Sequence, residues 1–247
     1  MKQLAFAVLL TLTAEGASAQ TADDVIEKSL AALGGRGAHA KIVSRSVVGT
    51  ITFTTPAGDI SGPIEILNAS PNKVRTLIKA DLASLGAGQL TVDQRFDGQT
   101  GYVTDSMRGN RELTGSQLDS LRNTAFPHLF LSIKELGMTA TVSGKERVGD
   151  RDAYVLVLQP KQGAPLRQYI DATTFLPIKV VMTIGGGPDG ADVEQTTEVS
   201  DFRDVDGIKI PFRLRTSSSV QTVTITVTTV AHNVKVDDAL FSKPATP

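Results

Sequence analysis

The chain contains no cysteine and no tryptophan, and only three tyrosines, nine phenylalanines and three histidines among 247 residues. Without cysteine there are no disulfides, no zinc–thiolate sites, no iron–sulfur clusters, no cysteine nucleophile and no lipid attached through an N-terminal cysteine. The thin aromatic supply argues against platforms on which sugars or bases stack. His39, His128 and His232 are far apart in sequence and fall in different elements, so no metal site is read from them. Neither sign of charge dominates: 25 basic residues face 26 acidic ones, for a net charge of −1. That balance excludes the basic footprint of a nucleic-acid partner. Neither G-x-S-x-G nor H-E-x-x-H occurs. The reading is therefore a protein that is not an enzyme, with no catalytic residue, no metal and no cofactor. What the chain does have is a 40% hydrophobic content, enough for a real core.

Residues 1–19 read as a secretory signal peptide. Lys2 supplies a minimal basic n-region, Leu4–Leu12 a short apolar run, and Ala17-Ser18-Ala19 an A-x-A cleavage pattern before Gln20. The run falls short of the roughly 20 residues needed to span a bilayer. Cleavage after Ala19 would leave residues 20–247 as a single domain outside the cytoplasm, in the periplasm if the source has an outer membrane.

A helix is expected directly after the signal. Thr21 and Asp24 form a capping pair, Val25, Ile26, Leu30 and Leu33 share one face, and Gly34-Gly35 ends the run. Alternating segments then dominate, from Val47–Thr54 to Val220–Val230, broken by turns such as Asp97-Gly98 and Asp206-Gly207. The middle reads as helical. One segment carries Leu118 and Leu121, and a second starts at Pro127 and runs to Gly137. Strand blocks separated by segregated helices indicate an α+β protein with an antiparallel sheet. About ten strands in one sheet would have to curl, and the helices are the available cover for its concave apolar face.

Three local patterns resemble active-site motifs without their context. Gly35-Arg36-Gly37-Ala38-His39-Ala40 matches a dinucleotide fingerprint but follows a helix and precedes strands, so it reads as a helix-ending loop. Ser70-Pro71-Asn72-Lys73 matches S-x-x-K, but Pro71 and the strand at Val74 deny it a helix. Asp204-Val205-Asp206-Gly207 has Phe202 where a calcium loop needs an acid, and reads as a hairpin turn. The carboxylate pairs Asp23-Asp24 and Asp237-Asp238 sit where helix N-termini attract negative charge.

Several turns in order carry a family resemblance. They are Ser70-Pro71-Asn72-Lys73-Val74-Arg75, Phe96-Asp97-Gly98 before Gly101-Tyr102-Val103, and Lys145 through Val155. Gln168-Tyr169-Ile170-Asp171 with Phe175-Leu176-Pro177-Ile178-Lys179 follow, then Asp206 through Phe212 and Asp238-Ala239-Leu240-Phe241. Over most of residues 22–243 this order resembles the LolA/LolB-like superfamily of periplasmic lipoprotein carriers. The resemblance implies a half-open antiparallel barrel, its concave face plugged by helices, that binds a hydrophobic ligand or lipoprotein acyl chains. Dedicated sorting carriers place an arginine just before the Pro-Asn pair. Here that position is Ser70, so the resemblance implies lipid or lipoprotein binding more than lipoprotein transfer.

On this frame, fourteen residues are expected to line the cavity: Ile51, Phe53, Ile64, Ile66, Leu90, Val92, Tyr102, Leu156, Leu158, Tyr169, Met182, Phe212, Leu214 and Ile225. Seven are expected in a helical plug that shifts to admit ligand: Leu118, Leu121, Phe126, Leu129, Phe130, Ile133 and Leu136. The protein is expected to be a monomer. The alternative reading is an envelope regulatory or assembly module that docks an inner- or outer-membrane protein partner on the same face.

Overall fold

The computed structural model describes residues 20–244 apart from 57, 84–85, 125, 185–191 and 220. The signal-peptide reading for residues 1–19 and the glycine-rich loop at 185–190 therefore lie outside the described residues. The first element is helix α1, Ala22–Ala32. Thr21 and Asp24 close a capping box: the Thr21 Oγ1 accepts from the Asp24 N–H, and the Asp24 carboxylate accepts from the Thr21 N–H. Val25, Ile26, Leu30 and Leu33 are buried, and Asp23, Glu27 and Lys28 are exposed. A one-turn helix, α2 (Arg36–His39), follows Gly35.

The rest is one antiparallel sheet of thirteen strands among the described residues. The first block comprises β1 (Ser44–Thr55), β2 (Gly58–Ala69), β3 (Lys73–Asp81), β4 (Gln89–Phe96), β5 (Gly101–Asp105) and β6 (Arg111–Leu113). Helix α3, Gly115–Arg122, and a 3-10 turn at Leu129–Leu131 come next. The second block comprises β7 (Thr139–Val148), β8 (Arg151–Gln159), β9 (Leu166–Asp171), β10 (Pro177–Ile184), β11 (Val193–Val205), β12 (Ile208–Ser217) and β13 (Thr222–His232). The spatial order runs β6-β5-β4-β3-β2-β1-β13-β12-β11-β10-β9-β8-β7. Every sequential pair is a hairpin neighbour except β6 and β7, which are the two margins of a curled, unclosed sheet. The segment between them has to cross from one margin to the other.

That segment is less helical than the sequence suggests. Only α3 is an α-helix. Pro127 does not start a second one, and the Phe126–Pro127 peptide bond is cis. The ten residues from His128 to Gly137 form the 3-10 turn and isolated turn bonds such as Leu136 N–H to Ser132 O, 2.9 Å. So short a segment forms too few helical bonds to offset the cost of nucleation.

Pairing fixes the faces, because directly opposed residues share a side and neighbours alternate. On the concave side, α1 and Phe130 pack over Leu156, Leu158 and Ile170. Phe126 and Ile42 pack over Ile208, Ile210, Phe212 and Val227. The outer side carries a charged cluster in which Asp93 is buried and accepts a bidentate pair of bonds from Arg75 (2.8 and 2.7 Å) and two more on its Oδ2 from Arg95 (3.1 and 2.7 Å). Burial alone would raise the Asp93 carboxyl, but the two guanidinium groups hold it below its usual range. The C-terminal segment lies over this cluster: Arg95 donates to the Ser242 carbonyl, Lys73 pairs with Asp238, and Lys243 pairs with Glu112.

The curl brings backbones into close approach. At Gly62 a Cβ would stand 1.8 Å from the Lys79 carbonyl oxygen and 2.9 Å from the Ala80 Cα. Backbone cannot swing aside as a flexible side chain can, so Gly62→Ala should lower stability by about 3 kcal/mol. Gly88→Ala, where a Cβ would meet nothing within 4 Å, should leave it nearly unchanged. Urea unfolding of the two variants measures the contrast, and equal midpoints would show that the strands can part at Gly62.

Candidate functional site

A cavity of about 360 Å³ lies on the concave face, between the sheet and the segments that cover it. Strand alternation supplies its apolar wall. Val47 and Ile66 come from the β1–β2 pair, Leu214, Ile225 and Val227 from the β12–β13 pair, and Val180 and Val199 from the β10–β11 pair. Pro127 and His128 reach it from the crossing segment, and Leu33 and His39 from the α1–α2 corner. Asn68, Gln168 and Arg45 are polar residues of the wall.

The chain's three histidines gather at this end of the sheet. His39 and His128 stand 5.3 Å apart, ring centre to ring centre, and His128 meets Phe130 edge-on at 5.0 Å. The His128 Nδ1 accepts the Phe130 N–H at 3.2 Å, capping the 3-10 turn. His232 pairs across the sheet with Arg45. A bulge puts it there. The β1–β13 register slips between Val48 and Gly49, so Val227 and Val230 both oppose inward positions and His232 turns inward after them. Its side chain is 2% exposed, and its Nδ1 lies 3.0 Å from the Asp206 carboxylate. Among the described residues, no group of three or more His, Asp or Glu is arranged to hold a metal ion.

Arg45 is the cation at the centre of this cluster. Its guanidinium lies 5.2 Å over the Phe126 ring and makes one long bond, Nη2 to the Pro127 carbonyl at 3.5 Å. Burial pushes Arg45 down to about 10. Burial, then the positive charges of His39 and Arg45, push His128 down to about 3. His39 is lowered too, first by burial and then by Arg45. The Leu33 carbonyl offsets this in part without closing a hydrogen bond to either ring nitrogen.

Of the fourteen residues expected at the cavity, Ile66, Leu214 and Ile225 line it. Leu156 and Leu158 face the same side but are sealed beneath α1 and Phe130, and Phe212 lies in the cluster around Phe126. Phe53 and Leu90 pack with Ile60, Ala80 and Leu82 in a cluster of their own. Ile51, Ile64, Val92 and Met182 share the concave face by register without reaching the cavity wall.

Tyr102 and Tyr169 are corrections, because both point outward. Tyr102 alternates with Gly101 and Val103, whose positions oppose inward residues of β4, and Lys243 lies 5.0 Å over its ring on the outer side. The inward position next to it is crowded: a Cβ on Gly101 would stand 3.0 Å from the Leu113 side chain and 3.3 Å from that of Leu121. Tyr169 packs outside with Ala153, Val155, Ile178 and Val181, while its neighbour Ile170 takes the place under α1.

The seven plug residues divide. Phe126 and Phe130 are buried, in separate clusters. Leu129 and Ile133 pack beside Phe130, and Leu136 is half-buried. Leu118 is half-buried on α3, and Leu121 borders a second cavity of about 210 Å³ between β4, β6 and Ile184. Sequence reading missed Arg45, His39 and His128 as site residues. For Arg45 a signal existed, since it shares strand parity with Val47, Ile51 and Phe53.

No family model matches the sequence, and no curated protein sequence matches it. Solved structures do. A LolA superfamily protein from Nitrosomonas europaea superposes with a TM-score of 0.58 at 16% identity, covering 91% of this chain and 99% of that one. A DUF1329 family protein from Desulfovibrio piger gives 0.57 at 13% identity, covering 90% and 97%. An outer membrane lipoprotein-sorting protein domain from Vibrio parahaemolyticus gives 0.56 at 9% identity, covering 87% and 95%. The chain has a LolA-like fold.

The buried imidazoles give the protein a pH signature. His128 and His39 bind a proton more weakly folded than unfolded, so the unfolded chain takes up more protons as pH falls below the ordinary value of 6.5. Their favourable contribution is complete above that value and is lost as pH falls. The buried carboxylates Asp93 and Asp171 are held below 3.8 and so lose theirs at lower pH. Urea midpoints should therefore drop between pH 7 and about 5. His128→Asn, which can still accept the Phe130 N–H, should drop less. Parallel pH profiles for variant and wild type would rule His128 out as the cause.

Proposed function

We propose that this is a soluble periplasmic protein that binds an acyl chain or similar hydrophobic ligand in the cavity on the concave face, without catalysis. The observation that carries the reading is the cavity itself. It is apolar along Val47, Ile66, Val180, Leu214 and Ile225, and its volume of about 360 Å³ suits a small ligand. Each methylene moved from water into such a wall contributes about 0.8 kcal/mol, so some ten methylenes account for micromolar binding. The LolA-like fold supports the reading, since a lipoprotein-sorting domain shares it. Export rests on residues 1–19, with cleavage after Ala19. Among the described residues, no helix is long and apolar enough to cross a membrane.

Two experiments test it. Val180→Asp places a charge in the wall and should weaken binding of the fluorescent fatty acid cis-parinaric acid at least about tenfold, with circular dichroism unchanged. Unchanged affinity would place the chain elsewhere. The second concerns the cover. Phe126 and Phe130 anchor it in two clusters, and between them Pro127 and His128 border the cavity. Entry of a long chain should shift this stretch, so hydrogen exchange across residues 115–137 should change with ligand. Exchange as slow as in β13, and indifferent to ligand, would make the segment fixed core.

A further inference from the structure

The polar end of the cavity carries a charge with no counterpart. Arg45 has no carboxylate within salt-bridge distance among the described residues, and its strand neighbours on either side are Asn68 and His232. Arg45 is half-buried with its Nε shielded from solvent, and a guanidinium drawn out of water is ordinarily paired, because only an opposite charge or strong hydrogen bonds offset the lost hydration. Among the described residues, five buried side-chain polar atoms lack a hydrogen-bond partner, and four of them belong to this cluster: Arg45 Nε, both ring nitrogens of His39, and His232 Nε2. Such orphans are rare in folded proteins, and four at one spot mark the place of an absent partner. That partner has to accept hydrogen bonds, since Arg45 can only donate. It also has to bring negative charge, since the carboxylate of this cluster, Asp206, pairs with His232 and forms no ion pair with the guanidinium.

We infer that the cavity selects a single-chain amphiphile with an anionic head group, and that Arg45 holds that head while the acyl chain runs along Val47, Ile66, Val180, Leu214 and Ile225. This rests on the apolar-ligand reading above and adds the chemistry of the ligand's other end. A carboxylate or a phosphate monoester fits, because either offers two oxygens to the planar fork of a guanidinium. His39, 2% exposed and bordering the cavity, supplies a further N–H to the same head as a neutral imidazole. A neutral head would leave Arg45 unpaired, and a cationic one would oppose it.

Titration calorimetry on the mature chain with three twelve-carbon probes, laurate, dodecyl phosphate and dodecanol, tests this. At least one anionic probe should bind about tenfold or more tighter than dodecanol. The tighter of the two identifies the head group. Arg45→Met, which keeps the stem without the charge, should bring all three within about threefold of one another. Arg45→Lys should keep a preference for the anions. Equal affinity of wild type for all three probes would overturn the anionic selectivity while leaving the apolar-ligand reading intact. A preference that survives Arg45→Met would overturn the role of Arg45. Binding of none of the three would overturn the apolar-ligand reading itself. The wild-type comparison stands whether or not a variant folds.

Discussion

The connection from β6 to β7 has to cross the full width of the sheet, and the architecture follows from that one constraint. Every other sequential pair of strands is joined as neighbours, and the two blocks meet where β1 pairs with β13. The margins β6 and β7 are left unpaired with each other, so the sheet curls without closing. The chain between them must pass over the concave face, and that passage also covers the core. Phe126 and Phe130 are where it is fastened. A crossing segment of two anchors and little regular structure cannot fill the concavity as a long helix would, and the cavity beside Pro127 and His128 is what remains.

Local chemistry made much of this legible beforehand. The Thr21–Asp24 box and the apolar stripe of α1 are short-range signals, and both formed. The alternation of β1, β2 and β13 placed Ile51, Ile64 and Ile225 on one face. The failures arise where a long-range event overrides the local pattern. The three-residue strand β6 is too short to carry a period of two. The turns after Pro127 look helical by spacing, but they exist to span a gap whose width is set elsewhere. Tyr102 and Tyr169 lie outside although the sequence reading expects them at the cavity. At both sites the inner face was already committed, to the close approach at Gly101 in one case and to Ile170 under α1 in the other. Facing out costs neither side chain its apolar cover: Tyr102 is half-buried under Lys243, and Tyr169 is only 3% exposed within the outer cluster of Ala153, Val155, Ile178 and Val181.

The polar end of the cavity was hidden for a different reason. His232 ends a strand whose strict alternation from Val223 would put it on the outer face. The bulge opposite Val48 and Gly49 reverses that parity, and a one-residue slip of this kind exchanges every side chain beyond it. His39 reaches the same place from the end of α2, and His128 from the crossing segment. No spacing rule links positions 39, 128 and 232, because their proximity is a property of the curled sheet and the segment that crosses it. Arg45 was the exception. Its parity with Val47 and Ile51 was open to view, and a charged residue on an otherwise apolar face is the informative anomaly.

That anomaly has a cost, and the cost bears on how the protein works. A partly buried guanidinium without a counter-charge and two imidazoles held neutral destabilise the fold relative to one with apolar residues in their place. A site optimised for stability alone would not combine them. Whatever supplies the missing charge binds the folded state and not the unfolded one, so it returns stability in proportion to its affinity. On the proposed reading, the same ligand would compete with Pro127 and His128 for the cavity wall, so filling the cavity would strengthen the polar end while loosening the cover beside it. Strain of this kind, with local rules broken at one spot and obeyed elsewhere, is expected where a fold has been shaped around a partner it does not itself contain.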